Sequence, residues 1–219
     1  MTVIAIDTCL DACSVAVCDG ERALATLSEP MTRGHQERLA PMAAEAMAQA
    51  GVGFDALDRI AVTVGPGSFT GLRVGLAFAK GLALATGAPC IGIGTLEALA
   101  ASEAAQGFVA AAIDARRGQL YLQIFIDGRA AMAPDVLPVE VAAARLAELW
   151  TGGPVSLIGS GAKLLDGVIA GARTIDRIAP DPLAVARLGL AARAPFPPPR
   201  PLYLRAPDAK PSRQALARP

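Results

Sequence analysis

The sequence predicts an α/β chain of two related lobes, the second shorter than the first, and three observations carry that reading. Strand-like runs alternate with helical ones along the chain. Residues 109–128 (VAAAIDARRGQLYLQIFIDG) repeat the order of residues 3–20 (VIAIDTCLDACSVAVCDG): a strand ending in Ala-Ile-Asp, a polar turn, and a second strand closing on Asp-Gly. Such self-similarity marks a duplicated unit. Just over half of the 219 residues are apolar, with few aromatics and much Ala and Gly, so a core of small, closely packed side chains is available.

In order along the chain, residues 3–8 and 12–20 read as a hairpin and residues 22–28 as a third strand. Residues 34–50 place Leu39, Met42, Ala43, Ala46 and Ala50 on one side of a helix and Glu37, Arg38, Glu45 and Gln49 on the other. Pro41 inside this pattern is expected to kink the helix or to belong to its first turns. Residues 59–64 (RIAVTV) form a buried strand, residues 69–86 a helix and residues 89–94 a short strand. The second copy is eroded to a helix at 138–150, a strand at 154–158 and helical pieces starting at Ala162 and Leu183. Residues 195–201 (PFPPPRP) are expected to end the compact part, because consecutive prolines continue neither helix nor central strand.

Twenty acids balance twenty bases, so no overall field draws the chain toward nucleic acid or an anionic membrane. No apolar run is both long and glycine-poor enough to span a bilayer, and Met1 leads directly into a strand pattern without a basic leader; the expectation is a cytoplasmic protein with no membrane partner. Cys9, Cys13, Cys18 and Cys90 match no zinc spacing and are expected as small buried hydrophobes.

The stretch at 62–87 has the strand, glycine turn and helix of a phosphate cradle, but its details disagree with one. Gly65 and Gly67 fit the first two glycines of a dinucleotide fingerprint, whereas the third position holds Thr70, with Gly71 one residue late. Pro66 removes an amide donor, no Gly-Lys-Ser/Thr follows, and Ser68 lacks the frame of a hydrolase nucleophile. The helix itself carries two apolar stripes. Gly71, Val74, Gly75, Phe78, Leu82 and Ala85 form one, Leu72, Leu76, Ala79 and Ala83 the other, and Arg73 and Lys80 occupy the narrow remaining side. One such face suffices for a surface helix. Gly71, Gly75 and Gly81 each cost about 1 kcal/mol relative to alanine. Close approach of another chain's helix is the expected return, and coverage of both stripes within one thick domain is the alternative.

The segments IAIDT, ACSVAV, GPGSFTGLRVGLAFAKGLA, IGIGTLEALA, AIDARRGQLY and YLRAPDAK, in this order from Ile4 to Lys210, resemble the TsaB (YeaZ) family. The resemblance implies a two-lobe ribonuclease-H-like fold of the actin, sugar-kinase and heat-shock type. It divides the chain into residues 1–104, carrying the dimerisation helices, a degenerate lobe at 105–200, and a basic, partly disordered tail at 201–219. It also implies a non-catalytic role beside the paralogous TsaD and TsaE, which install a threonylcarbamoyl group on the adenosine next to the tRNA anticodon, with tRNA reached only through the complex. The metal-binding histidine pair of TsaD falls here on Thr95 and Leu99, and the one histidine, His35, stands alone, so the resemblance implies neither catalytic residues nor a metal or other cofactor.

By the same resemblance, helices 34–50 and 69–86 form a face for TsaD, or for a second copy when TsaD is absent. Leu39, Met42, Ala46, Gly71, Val74, Gly75, Phe78 and Leu82 are its candidate interface residues. In ATP-using relatives the turns after the two Asp-ended strands face phosphates. Here Asp7 is followed by TCLD and Asp114 by ARRG, where Arg116 or Arg117 is either a surface residue or a lobe-crossing ion-pair partner. Residues 159–163 (GSGAK) are expected as a capped surface turn, and ribose or phosphate binding there is the alternative. The competing function is an active nucleotide-dependent enzyme of the same fold, an ATPase or a peptidase.

Overall fold

The computed structural model describes residues 1–103 and 107–205. The first lobe holds β1 (Thr2–Asp7), β2 (Ala12–Asp19), β3 (Arg22–Pro30), β4 (Arg59–Thr63) and β5 (Cys90–Ile93) in the sheet order β3-β2-β1-β4-β5. Antiparallel pairing links β1, β2 and β3, and β4 and β5 run parallel to β1. The second lobe repeats the path with β6 (Phe108–Arg116), β7 (Gln119–Ile126), β8 (Arg129–Ala130), β9 (Asp135–Pro138), β10 (Val155–Ile158) and β11 (Arg173–Ile175), ordered β11-β10-β6-β7-β8 with β9 also on β7. The repeat extends to single hydrogen bonds. Asp7 Oδ1 accepts from the Cys9 amide at 3.2 Å, and Asp114 Oδ1 accepts from the Arg116 amide at 2.7 Å.

Helices α1 (His35–Ala50) and α2 (Phe69–Thr86) cover one face of the first sheet, where Leu39, Met42, Leu72 and Leu76 pack on Ile4, Ile6, Ile60 and Val62. Pro41 lies in the second turn of α1 on its exposed side, where it removes one helical amide donor. In the second lobe, α4 (Val139–Leu149) and a 3-10 turn at Ala162–Leu165 occupy the places of α1 and α2.

The lobes exchange their remaining helices. α3 (Thr95–Ala101), which follows the first sheet, buries Leu96 and Leu99 against Val109, Ala111 and Ile113 of the second. α5 (Pro182–Ala191), which follows the second sheet, returns to the back of the first and packs Val185 and Ala186 on Val3, Ala5 and Ala61. A linear cut therefore separates each of these helices from the sheet it covers, and the 104/105 boundary itself lies outside the described residues. Arg59 holds α5 at its C-terminus. Its Nη1 donates to the carbonyls of Gly189, Leu190 and Ala192 at 2.8, 2.8 and 2.9 Å, placing a cation where the helix dipole is negative, and its guanidinium stacks on Phe196.

Residues 195–205 correct the expectation that the proline run ends the compact part. Prolines cannot join a ladder, but they pack laterally: Pro199 lies against Gly92 at the edge strand β5, and the Leu202 amide donates to the Val64 carbonyl at 2.7 Å. The remainder of the predicted tail, 206–219, lies outside the described residues.

Two glycines of α2 make opposite predictions. A Cβ at Gly71 would overlap the Thr8 carbonyl oxygen, whereas a Cβ at Gly81 meets nothing within 4 Å. Gly71→Ala should destabilise the fold by about 1–3 kcal/mol, and Gly81→Ala should stabilise it by about 0.5–1 kcal/mol. Urea unfolding of the two variants measures both signs.

Candidate functional site

The β1–β2 turn, which the resemblance casts as phosphate-facing, is bonded to its own chain. The Cys9 carbonyl accepts from the Ser68 amide at 2.6 Å, and Thr8 Oγ1 donates to the Gly71 carbonyl at 2.7 Å. The Asp11 amide donates to the Ile178 carbonyl, and the Asp11 carbonyl accepts from Met31. A Cβ at Gly67 would overlap the Cys9 carbonyl, and one at Gly75 would stand 2.5 Å from Thr8 Oγ1. The glycines of the turn and helix thus admit the chain's own first turn. Gly65 serves a second approach, because its φ of 102° and the Leu202 carbonyl beside it both exclude a side chain.

Beneath this contact Asp7 is fully buried. Its Oδ1 accepts from Thr63 Oγ1 at 2.6 Å, while Oδ2 has no partner. Burial pushes its carboxyl up to about 6, against the lowering effect of Thr63, the Cys9 amide and nearby His35. Cys9, also buried, donates its thiol to the Thr63 carbonyl, and burial raises it to about 12, so it is a packing residue. Cys13 and Cys18 are buried and Cys90 half-buried, and desolvation raises all three thiols, as expected of small core hydrophobes. Thr95 and Leu99 are fully buried on α3, and Leu99 packs on Gly159 and the second sheet. Among the described residues no three His, Cys, Asp or Glu side chains converge on a metal-sized site.

A cleft of about 710 Å³ opens between the lobes. Its first-lobe wall includes Leu10, Asp11, Pro66, Ser68, Phe69 and Leu72, and its second-lobe wall includes Ile113, Asp114, Arg116, Tyr121 and Ser160. Arg116 pairs with Asp114 of its own turn at 3.2 Å, so it is not a lobe-crossing partner. Ser160 Oγ accepts from the Asp114 amide, and Gly159 and Gly161 press onto β6, so residues 159–163 form a turn packed on the second sheet, without the expected side-chain cap on the 3-10 helix that follows. Arg205 does cross the cleft: its Nη1 donates to the Ala115 carbonyl at 2.9 Å. Sequence reasoning had no signal for it beyond the YLR of the resemblance.

The predicted interface residues divide in two. Leu39, Met42, Ala46, Gly71 and Gly75 are buried within the first lobe, where they hold α1 and α2 to their own sheet and turn. Val74, Phe78 and Leu82 are half-buried on the flank of α2. Outward of them stand Arg73, Ala77, Lys80 and Leu84, the last 89% exposed, and the outward side of α1 carries Ala40, Pro41, Ala44 and Ala48. Leu84 lies on the charged side of the helical wheel, an exposed apolar residue in a row otherwise charged or small. Among the described residues no helix is long and apolar enough to cross a membrane.

Two Asp-ended hairpins, two equivalent sheets and an interlobe cleft define a protein of the actin, sugar-kinase and heat-shock fold. A ROK hexokinase of Thermus thermophilus superposes with a TM-score of 0.54 over 86% of this chain and 98% of its own, at 18% identity, and shows the fold alone. The profile of the TsaD family, tRNA N6-adenosine threonylcarbamoyltransferase, matches residues 28–149. YeaZ of Pseudomonas aeruginosa superposes with a TM-score of 0.81 at 33% identity, over 93% of this chain and 99% of its own. The Haemophilus influenzae tRNA threonylcarbamoyladenosine biosynthesis protein TsaB is 43% identical over 125 residues, 55% of this chain and 52% of that protein. The chain belongs to the TsaB (YeaZ) family. Its matched region spans about half the length of the curated TsaB relatives.

The buried Asp7 predicts a pH dependence. Between its ordinary value of 3.8 and about 6, the folded chain holds a proton that the unfolded chain releases, so stability falls as pH rises through that window. The loss is on the order of 3 kcal/mol at full effect. Asp7→Asn keeps the acceptor for Thr63 and removes the titration. The stability of the variant relative to wild type, from urea unfolding, should therefore be greater at pH 7.5 than at pH 4.

Proposed function

We propose that the chain is a non-catalytic dimerisation and activating subunit in the synthesis of tRNA N6-threonylcarbamoyladenosine, acting in the cytoplasm with TsaD and TsaE and reaching tRNA only through their complex. Membership of the TsaB family carries this reading. Two features of the site support its non-catalytic half: the self-bonded turn after Asp7, and a buried Thr95–Leu99 pair at the positions of the TsaD histidines. The outward side of α1 and α2 supports the docking half. Leu84, Ala77 and the half-buried Val74, Phe78 and Leu82 make an apolar strip, edged by Arg73 and Lys80, beside the small residues of α1. A flat surface of small side chains lets two helices from another chain approach closely. The same face would pair two copies of the chain when TsaD is absent.

Because Gly75 faces Thr8, a bulky residue there would report folding rather than docking. Leu84→Glu and Ala77→Glu act only on the outward row. Each should weaken the heterodimer with TsaD by about tenfold or more, equivalent to about 1.4 kcal/mol, and lower tRNA modification by the TsaD–TsaE system toward the level without this chain. Val141→Glu, on the exposed side of α4, should leave both unchanged. Unchanged heterodimer affinity in the α2 variants would place the docking face elsewhere.

A further inference from the structure

Residues 199–205 belong to neither sheet, yet they touch both lobes. On the first lobe the segment is held at four places. Pro199 packs at Gly92, the Leu202 amide donates to the Val64 carbonyl, and the Leu202 carbonyl rests against Gly65. The Tyr203 ring then meets Phe69 with centroids 5.3 Å apart. Arg73 completes a stack there: its guanidinium lies 3.7 Å over the Phe69 ring, and its Nε donates to the Tyr203 hydroxyl at 3.1 Å. On the second lobe the segment is held by the hydrogen bond from Arg205 to the Ala115 carbonyl, at the end of β6. Leu202, Tyr203, Leu204 and Arg205 all line the cleft.

We propose that residues 199–205 form a latch that sets the opening of the interlobe cleft, fixed on the first lobe and released at Arg205. The asymmetry of its attachments carries this inference. The lobes also meet through α3 and α5, whose buried faces would have to leave a core to separate, through the hydrogen bond from the Asp11 amide to the Ile178 carbonyl, and through Arg177, which pairs with Glu103 at 2.6 Å. The Arg205 crossing is a charge-assisted hydrogen bond to a backbone carbonyl rather than a face buried in a core. The first-lobe end stays in place because the Tyr203–Phe69–Arg73 stack and the Leu202 bond act together at the entry to α2. Released, the segment remains with the first lobe while the second turns about the packed α3 and α5 contacts. The cleft that it narrows is of a size that takes a small molecule.

Spin labels on the full-length chain read this directly. Ala44→Cys on α1 and Glu148→Cys on α4 are exposed positions, one on each lobe, and double electron–electron resonance between them gives the interlobe distance distribution. With the latch intact the distribution should be single and narrow. Arg205→Ala should broaden it and shift it to longer distance, Tyr203→Ala should do the same by loosening the other end, and Arg205→Lys, which keeps a charged donor, should restore most of the narrow population. Amide exchange over residues 108–126 controls for unfolding: it should stay at the wild-type level in a variant whose lobes move as bodies. Distributions unchanged by both alanine substitutions would overturn the latch, as would broadening accompanied by loss of protection throughout the second sheet.

Discussion

The approach of the N-terminal end of α2 to the β1–β2 turn is the constraint on which the rest of the first lobe depends. Gly67 and Gly71 stand where any side chain would overlap the Cys9 and Thr8 carbonyls, and the Thr8 hydroxyl and the Ser68 amide close hydrogen bonds across the gap. That contact draws the glycine turn over Asp7, seals the carboxyl from water and raises its proton affinity. It also engages the backbone of the turn that would otherwise be open to a phosphate. One packing contact therefore determines both how the lobe is held and how the backbone of its first turn is engaged.

The second constraint is topological. Each lobe covers the back of its sheet with a helix from the other half of the chain, α5 on the first and α3 on the second. Arg59 binds the end of α5 by three carbonyls, so the exchange is anchored by charge as well as by burial. The erosion of the second lobe is confined to its outward layer, where the counterpart of α2 is reduced to the four-residue turn Ala162–Leu165. Its sheet keeps the full path of the first, down to the Asp-turn hydrogen bond.

Much of this was legible in the residues. The repeated Ala-Ile-Asp strands, the hairpins and the two long helices follow from period-two and period-3.6 patterns, and the structure places them within a residue or two of the expected bounds. Short elements were not: α3 has seven residues and β11 three, too few for a period to register. The glycines of α2 show a different limit. A helical wheel states that Gly71 and Gly75 lie on one stripe, but close approach to a turn carbonyl more than sixty positions away leaves the same trace as close approach to a foreign helix. For that reason the wheel does not distinguish the buried Gly71 and Gly75 from residues of an exposed face such as the row that carries Leu84. The C-terminal segment was missed because prolines were read only for the hydrogen bonds they refuse, whereas Pro199 and Tyr203 act by lateral packing and ring stacking.

Family membership and geometry meet at the same turn. Under the proposed docking role an open phosphate site has no use, and here the strand-end aspartate, the threonine and the glycines that could build one are engaged with each other. Nuclear magnetic resonance titration of the ¹⁵N-labelled chain with millimolar ATP and Mg²⁺ tests this most directly. The account predicts that the amides of residues 8–11 and 65–71 keep their positions across the titration. Saturable shifts confined to those two segments would contradict it.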